Sequence, residues 1–144
     1  MYVFLFFSIL KFIKMWEIYH DTIRRYPKIT LPEERRLILK AQNGSNKSKD
    51  EIVLRHIDFL TFRIRNKVFS HLIRRFGEDL LEEVILIAYK KIESYDLDYR
   101  NKQGEPHPVK FASYIWKRID GFILDYLKKE LQYVSDIIPI DNHR

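Results

Sequence analysis

Along most of the chain apolar residues recur at steps of three and four, the spacing that lines one face of an α-helix. Ile52, Val53, Ile57, Leu60, Ile64, Val68 and Leu72 form one such stripe. Leu80, Leu81, Val84, Ile85, Ala88 and Ile92 form a second, and Phe111, Ile115, Ile119, Phe122, Ile123 and Tyr126 a third. No alternating apolar–polar run is bounded by turn residues, so strands are not expected. Thr30 with Glu33 reads as a capping box, and Pro32 suits a first turn, predicting a helix over residues 32–42. The polar run 43–47 is a turn. Ser48 with Glu51 reads as a second capping box, opening a long helix that Gly77 closes as its C-terminal cap. Glu78 and Asp79 then suit the positive N-terminus of the next helix. Residues 96–108 form a polar loop, a last helix follows to about residue 132, and a short helix over 16–26 precedes the rest. The prediction is a compact all-α domain of four or five helices behind that short one. Four segments follow: an apolar extension (1–14), a helical segment (15–44), the main domain (45–132) and a tail or linker (133–144).

Composition narrows the function classes. The 144 residues suit one domain, and 46% hydrophobic with 32% charged residues is a globular balance. The absence of cysteine excludes disulfides, thiolate metal sites and a cysteine nucleophile. The five histidines fall into no ligand spacing, the four glycines form no phosphate-cradling loop, and no Ser–His–Asp pattern stands out, so no metal, cofactor or catalytic residue is expected. The apolar run at residues 1–14 is shorter than the roughly 20 residues a spanning helix needs, and it lacks signal-peptide features. Met15 offers a second start, and the expectation is a cytoplasmic protein without a membrane partner.

A net charge of +6 favours an acidic partner. The charge is unevenly placed. Arg63, Arg65, Lys67, Arg74 and Arg75 share a run without a carboxylate, whereas residues 78–98 carry Glu78, Asp79, Glu82, Glu83, Glu93, Asp96 and Asp98 against Lys90 and Lys91. Residues 100–118 are basic again. Two faces of opposite sign suggest two different partners, against the simpler reading of solvated helix faces. One enzymatic signal is present: Arg65, a polar residue after it and His71 six positions on resemble the short signature of HEPN-type ribonucleases, another all-α family.

Taken in order, "LRHIDFLTFRI", "EDLLEEVILIAYKKIESYD" and "FASYIWKRIDGFILDYL" resemble region 2 of bacterial RNA polymerase sigma factors of the sigma-70 family. The upstream "IYHDTIRRYPKITLPEERRLILKAQNG" resembles the helical segment that precedes region 2. The resemblance spans roughly residues 16–129 and implies a transcription initiation factor without enzymatic activity. It implies polymerase binding, to a coiled coil of the largest subunit of core RNA polymerase, through Asp79, Leu80, Glu82, Glu83 and Tyr89. It further implies that the −10 promoter element is melted and its non-template strand held by Arg100, Lys110, Tyr114, Trp116, Lys117 and Arg118. Tyr114 falls on the family's base-stacking tyrosine. Aromatic faces beside cations suit that task, because bases stack on the rings while cations follow the phosphates.

The chain also departs from the family. Lys117 and Arg118 stand where primary factors have two tryptophans, which resembles factors of the flagellar and sporulation type. Asp120 and Gly121 replace an arginine and a base-reading glutamine, and about eight extra residues lengthen the loop before Lys110. No segment resembles the helix-turn-helix that reads the −35 element. Either the chain is a fragment, or it is a region-2-only factor of the phage-late minimal or two-subunit type; a second protein supplying −35 recognition or an anti-sigma regulator is the further partner the resemblance implies. A sigma-like polymerase-binding regulator without DNA readout is the remaining alternative.

Overall fold

The structure, a computed structural model, describes residues 17–137, with side chains described to residue 132. The expectations for residues 1–14 and for the end of the tail lie outside the described residues. Among the described residues six helices follow one another: α1 (residues 17–25), α2 (Leu31–Gln42), α3 (Asn46–Arg55), α4 (Ile57–Lys67), α5 (Ser70–Ser94) and α6 (Phe111–Ile137). Among the described residues there is no strand, only an isolated bridge between Arg100 and Pro106 in the loop before α6. The all-α prediction holds.

Local chemistry sets the boundaries of α2 and α3. The Thr30 side chain accepts from the Glu33 backbone N–H at the start of α2, as its sequence spacing predicts. After Asn43, Gly44 turns the chain at φ 101°, a conformation that glycine adopts without strain. The cap of α3 is Ser45 rather than Ser48: Ser45 Oγ accepts from the Ser48 N–H at 3.2 Å, and Ser48 is buried.

Three predicted boundaries are corrected. The expected long helix from residue 48 is broken at His56, whose ring Nδ1 donates to the Ile52 carbonyl at 2.6 Å. Its second break falls at Val68 and Phe69, both extended, and not at Gly77. Gly77 lies buried inside α5, where the apolar stripe Phe76, Leu80, Leu81, Val84, Ala88 and Ile92 runs past it without a change of phase. Glu78 and Asp79 therefore sit two turns into a 25-residue helix and cap nothing.

Helix α5 packs against α2, α3, α4 and α6, and α4 packs against α6. In α6, Phe111, Ile115, Ile119 and Ile123 are fully buried at four-residue steps, so Phe111 is core, as its spacing predicts. They meet Ile38 of α2, Ile52 of α3, Leu60 and Ile64 of α4, and Leu80 and Ile92 of α5 in one cluster.

One polar anchor runs through that core. Glu34 of α2 is 5% exposed, and its Oε1 accepts the Phe111 backbone N–H at 2.6 Å. A residue 77 positions upstream thereby satisfies the first turn of α6. Its Oε2 lies 3.5 Å from His56 Nε2, and the His56 ring meets Phe111 edge-on at 5.0 Å.

Candidate nucleic-acid and protein interfaces

The N-terminal half of α6 puts Trp116, Lys117 and Arg118 on the surface because Ile115 and Ile119 turn the opposite side inward. Trp116 is 39% exposed. The Arg63 guanidinium lies 5.6 Å from the centre of its ring, and the Lys117 ammonium lies at the same distance. Both contacts are of cation–π type. Arg63, on α4, is a site residue that the sequence reading passed over as one more cation in a basic run. It is held by Asp120, which accepts from Arg63 Nε at 2.8 Å and also from a terminal guanidinium nitrogen. Lys67 Nζ lies 3.8 Å from the same carboxylate. Asp120 thus fixes the cation beside Trp116. The hydrogen bond to Asp120 is also the main cause holding the Arg63 guanidinium above its ordinary range.

Tyr114 is placed differently from the expectation. Its hydroxyl donates to the Ser94 carbonyl at 2.9 Å, its ring meets Tyr95 edge-on, and Lys91 Nζ lies 5.4 Å from its centre. Half-buried and tied at its tip to the end of α5, it braces α5 against α6. Among the described aromatic residues of α6, Trp116 is the open one.

Lys110 is exposed and lines a cavity of about 350 Å³. Its other walls include Ile29, Phe59, Phe62 and Ala112; Lys28 and Arg55 also line it, as does the buried Glu34–His56 pair. Phe62 is exposed and precedes Arg63 on α4, so this cavity and the Trp116 surface adjoin along one α4–α6 seam. Phe59 and Phe62 were missed because they fall between the positions of the apolar stripe that the sequence reading followed. Arg100 is not brought into this group by any contact. It sits in the loop hairpin, donating to the Gly104 carbonyl at 2.8 Å.

The acidic surface lies on α5. Asp79, Glu82 and Glu83 are exposed on one side of the helix, and Leu86, exposed as well, continues the stripe one turn on. Tyr19 of α1 and Tyr126 of α6 flank it. Burial chiefly pushes both phenols up, with Glu82 and Glu78 adding to it at Tyr19, and Asp79, Glu130 and Glu83 at Tyr126. Leu80 does not belong to this face. It is 0% exposed and fills the core, because position 80 shares the inward side with Phe76 and Val84. Tyr89 is half-buried and donates to Asp50 of α3 at 2.8 Å. Burial first, and that bond second, push its phenol up to about 12.

Arg65 is in the last turn of α4 and His71 in the first turn of α5, on either side of the Val68–Phe69 break, with the His71 ring stacked on Phe69. Among the described residues no group of histidines and carboxylates is arranged to hold a metal ion, and no helix is long and apolar enough to cross a membrane. No protein-family model, no curated protein and no solved structure matches this chain.

Proposed function

We propose that the chain is a sigma-like transcription initiation factor, without catalytic activity, that binds core RNA polymerase and holds the melted −10 promoter strand. The observation that carries this reading is the α4–α6 seam, where the exposed Trp116 lies beside Arg63 and Lys117 and adjoins a cavity walled by Phe59, Phe62 and Lys110. A single strand offers both unpaired base faces and phosphates, and an open aromatic ring flanked by cations engages both together. The acidic stripe of Asp79, Glu82 and Glu83, with Leu86 in its path, supplies a separate surface for a basic helical partner, the polymerase coiled coil of the resemblance. Two surfaces of opposite sign on one small all-α body suit a protein that bridges polymerase and DNA.

Trp116→Ala tests the DNA side. Base–aromatic stacking is worth about 1–3 kcal/mol per base, so affinity for a labelled −10-like single strand should fall about tenfold or more. Fluorescence anisotropy, on the protein alone and on its complex with core polymerase, checks this. Because Trp116 is partly exposed, the melting temperature should stay close to that of the unmodified protein. Unchanged affinity would remove Trp116 from the DNA surface.

A further inference from the structure

The junction between α4 and α5 carries a feature that the fold itself does not explain. Phe69 is 74% exposed, more than any other large apolar side chain among the described residues. It occupies the N-cap position of α5, where Ser, Thr, Asp or Asn stabilises a helix by about 1 kcal/mol, and it makes no capping bond. Val68 before it is buried, and the alternation of an extended backbone turns Phe69 outward. Its ring is not isolated: His71 stacks on it with centroids 6.0 Å apart and planes within 15°.

The electrostatic setting is one-sided. No Asp or Glu occurs between Asp58 and Glu78, while Arg63, Arg65, Lys67, Arg74 and Arg75 all do. Lys67, Arg74 and Arg75 are exposed around the junction. Asp120, which Lys67 approaches, is largely buried and taken up by Arg63, and Glu78 and Asp79 follow one turn beyond Arg74 and Arg75 in α5. The same Asp120 joins the junction to the strand-binding seam, since Lys67 approaches it from one side and Arg63, beside Trp116, from the other.

We propose that the α4–α5 junction is a second stacking platform for single-stranded nucleic acid, continuing the path that starts at Trp116. A base stacks on the Phe69–His71 pair, and Lys67, Arg74 and Arg75 follow the adjoining phosphates. This rests on the strand-binding role proposed for the α4–α6 seam. A duplex fits the platform poorly, because paired bases hide the faces that an open phenyl ring engages.

The test uses the full chain and a labelled single-stranded oligonucleotide of about 14 nucleotides, near the upper end of the single-strand site sizes known for one small domain. Phe69→Ala should lower its affinity about tenfold, by the per-base value of stacking, and Phe69→Trp should restore it. In a Trp16→Phe/Trp116→Phe background, emission from Phe69→Trp should be quenched as the oligonucleotide binds. A duplex of the same sequence should bind Phe69→Ala and the unmodified protein alike. Single-strand binding that Trp116→Ala weakens and Phe69→Ala leaves intact would overturn the platform and spare the seam. Equal losses on single strand and duplex would also overturn it, leaving a charged surface without stacking. Failure of the unmodified protein to bind either DNA would overturn the seam and the platform together.

Discussion

Asp120→Ala should cost about 1–3 kcal/mol of folding free energy, the penalty for leaving a part-buried guanidinium without its hydrogen-bond acceptor. The Asp120 carboxylate is 7% exposed at the residue level, accepts two hydrogen bonds from Arg63 and attracts Lys67. Its removal strands the Arg63 guanidinium between α4 and α6 and leaves Lys67 facing it with no acid between them. The pair itself contributes less than that penalty suggests, because desolvating both ions offsets most of their attraction. The double variant Arg63→Met/Asp120→Leu should therefore recover most of the loss. Urea titrations of the three proteins decide it. A loss below about 1 kcal/mol, the range of exposed pairs, would show that water screens the bridge.

The second large effect belongs to Glu34. Replacing it by alanine leaves the Phe111 N–H without its acceptor inside the core and takes the carboxylate from beside His56 Nε2, and a buried polar group so abandoned costs about 1–3 kcal/mol. Glu34→Ala should thus destabilise by about 3 kcal/mol, while Glu34→Gln, which keeps an acceptor for the Phe111 N–H, should lose about half as much. The loss should be visible locally as faster hydrogen exchange at the Phe111 amide. Stability within about 0.5 kcal/mol of the unmodified protein, the range of ordinary surface changes, would contradict the anchoring role.

These two residues also show what the sequence could reveal. Local signals were legible: the Thr30 cap, the turn at Gly44 and the four-residue stripe from Phe111 to Ile123 all appear where short-range chemistry puts them. Gly77 misled because an isolated glycine reads as a stop, although the apolar phase on either side of it was already continuous. The true break, Val68–Phe69, has no glycine or proline to mark it; a buried valine beside an outward phenylalanine ends α4 there. Glu34–Phe111 and Arg63–Asp120 join residues 77 and 57 positions apart, and no periodicity records such pairs. For the same reason Arg63 was missed at the candidate site, and Tyr114 was assigned a stacking role that its bond to Ser94 makes less accessible than Trp116. Leu80 entered the polymerase-binding set by its place in the segment, and helical phase removes it.

The central claim is tested most directly by mixing the purified protein with core RNA polymerase and a forked DNA carrying a single-stranded −10 region, then following co-elution by gel filtration. The account predicts that the protein elutes with core and that core retains the fork only when the protein is present. Reversing the charges at Glu82 and Glu83 should release the protein from core, and Trp116→Ala should release the fork alone. Co-elution with core but without the fork would point to a polymerase-binding regulator. No association with core would contradict the account and make RNA cleavage, with His71→Ala as its control, the next assay.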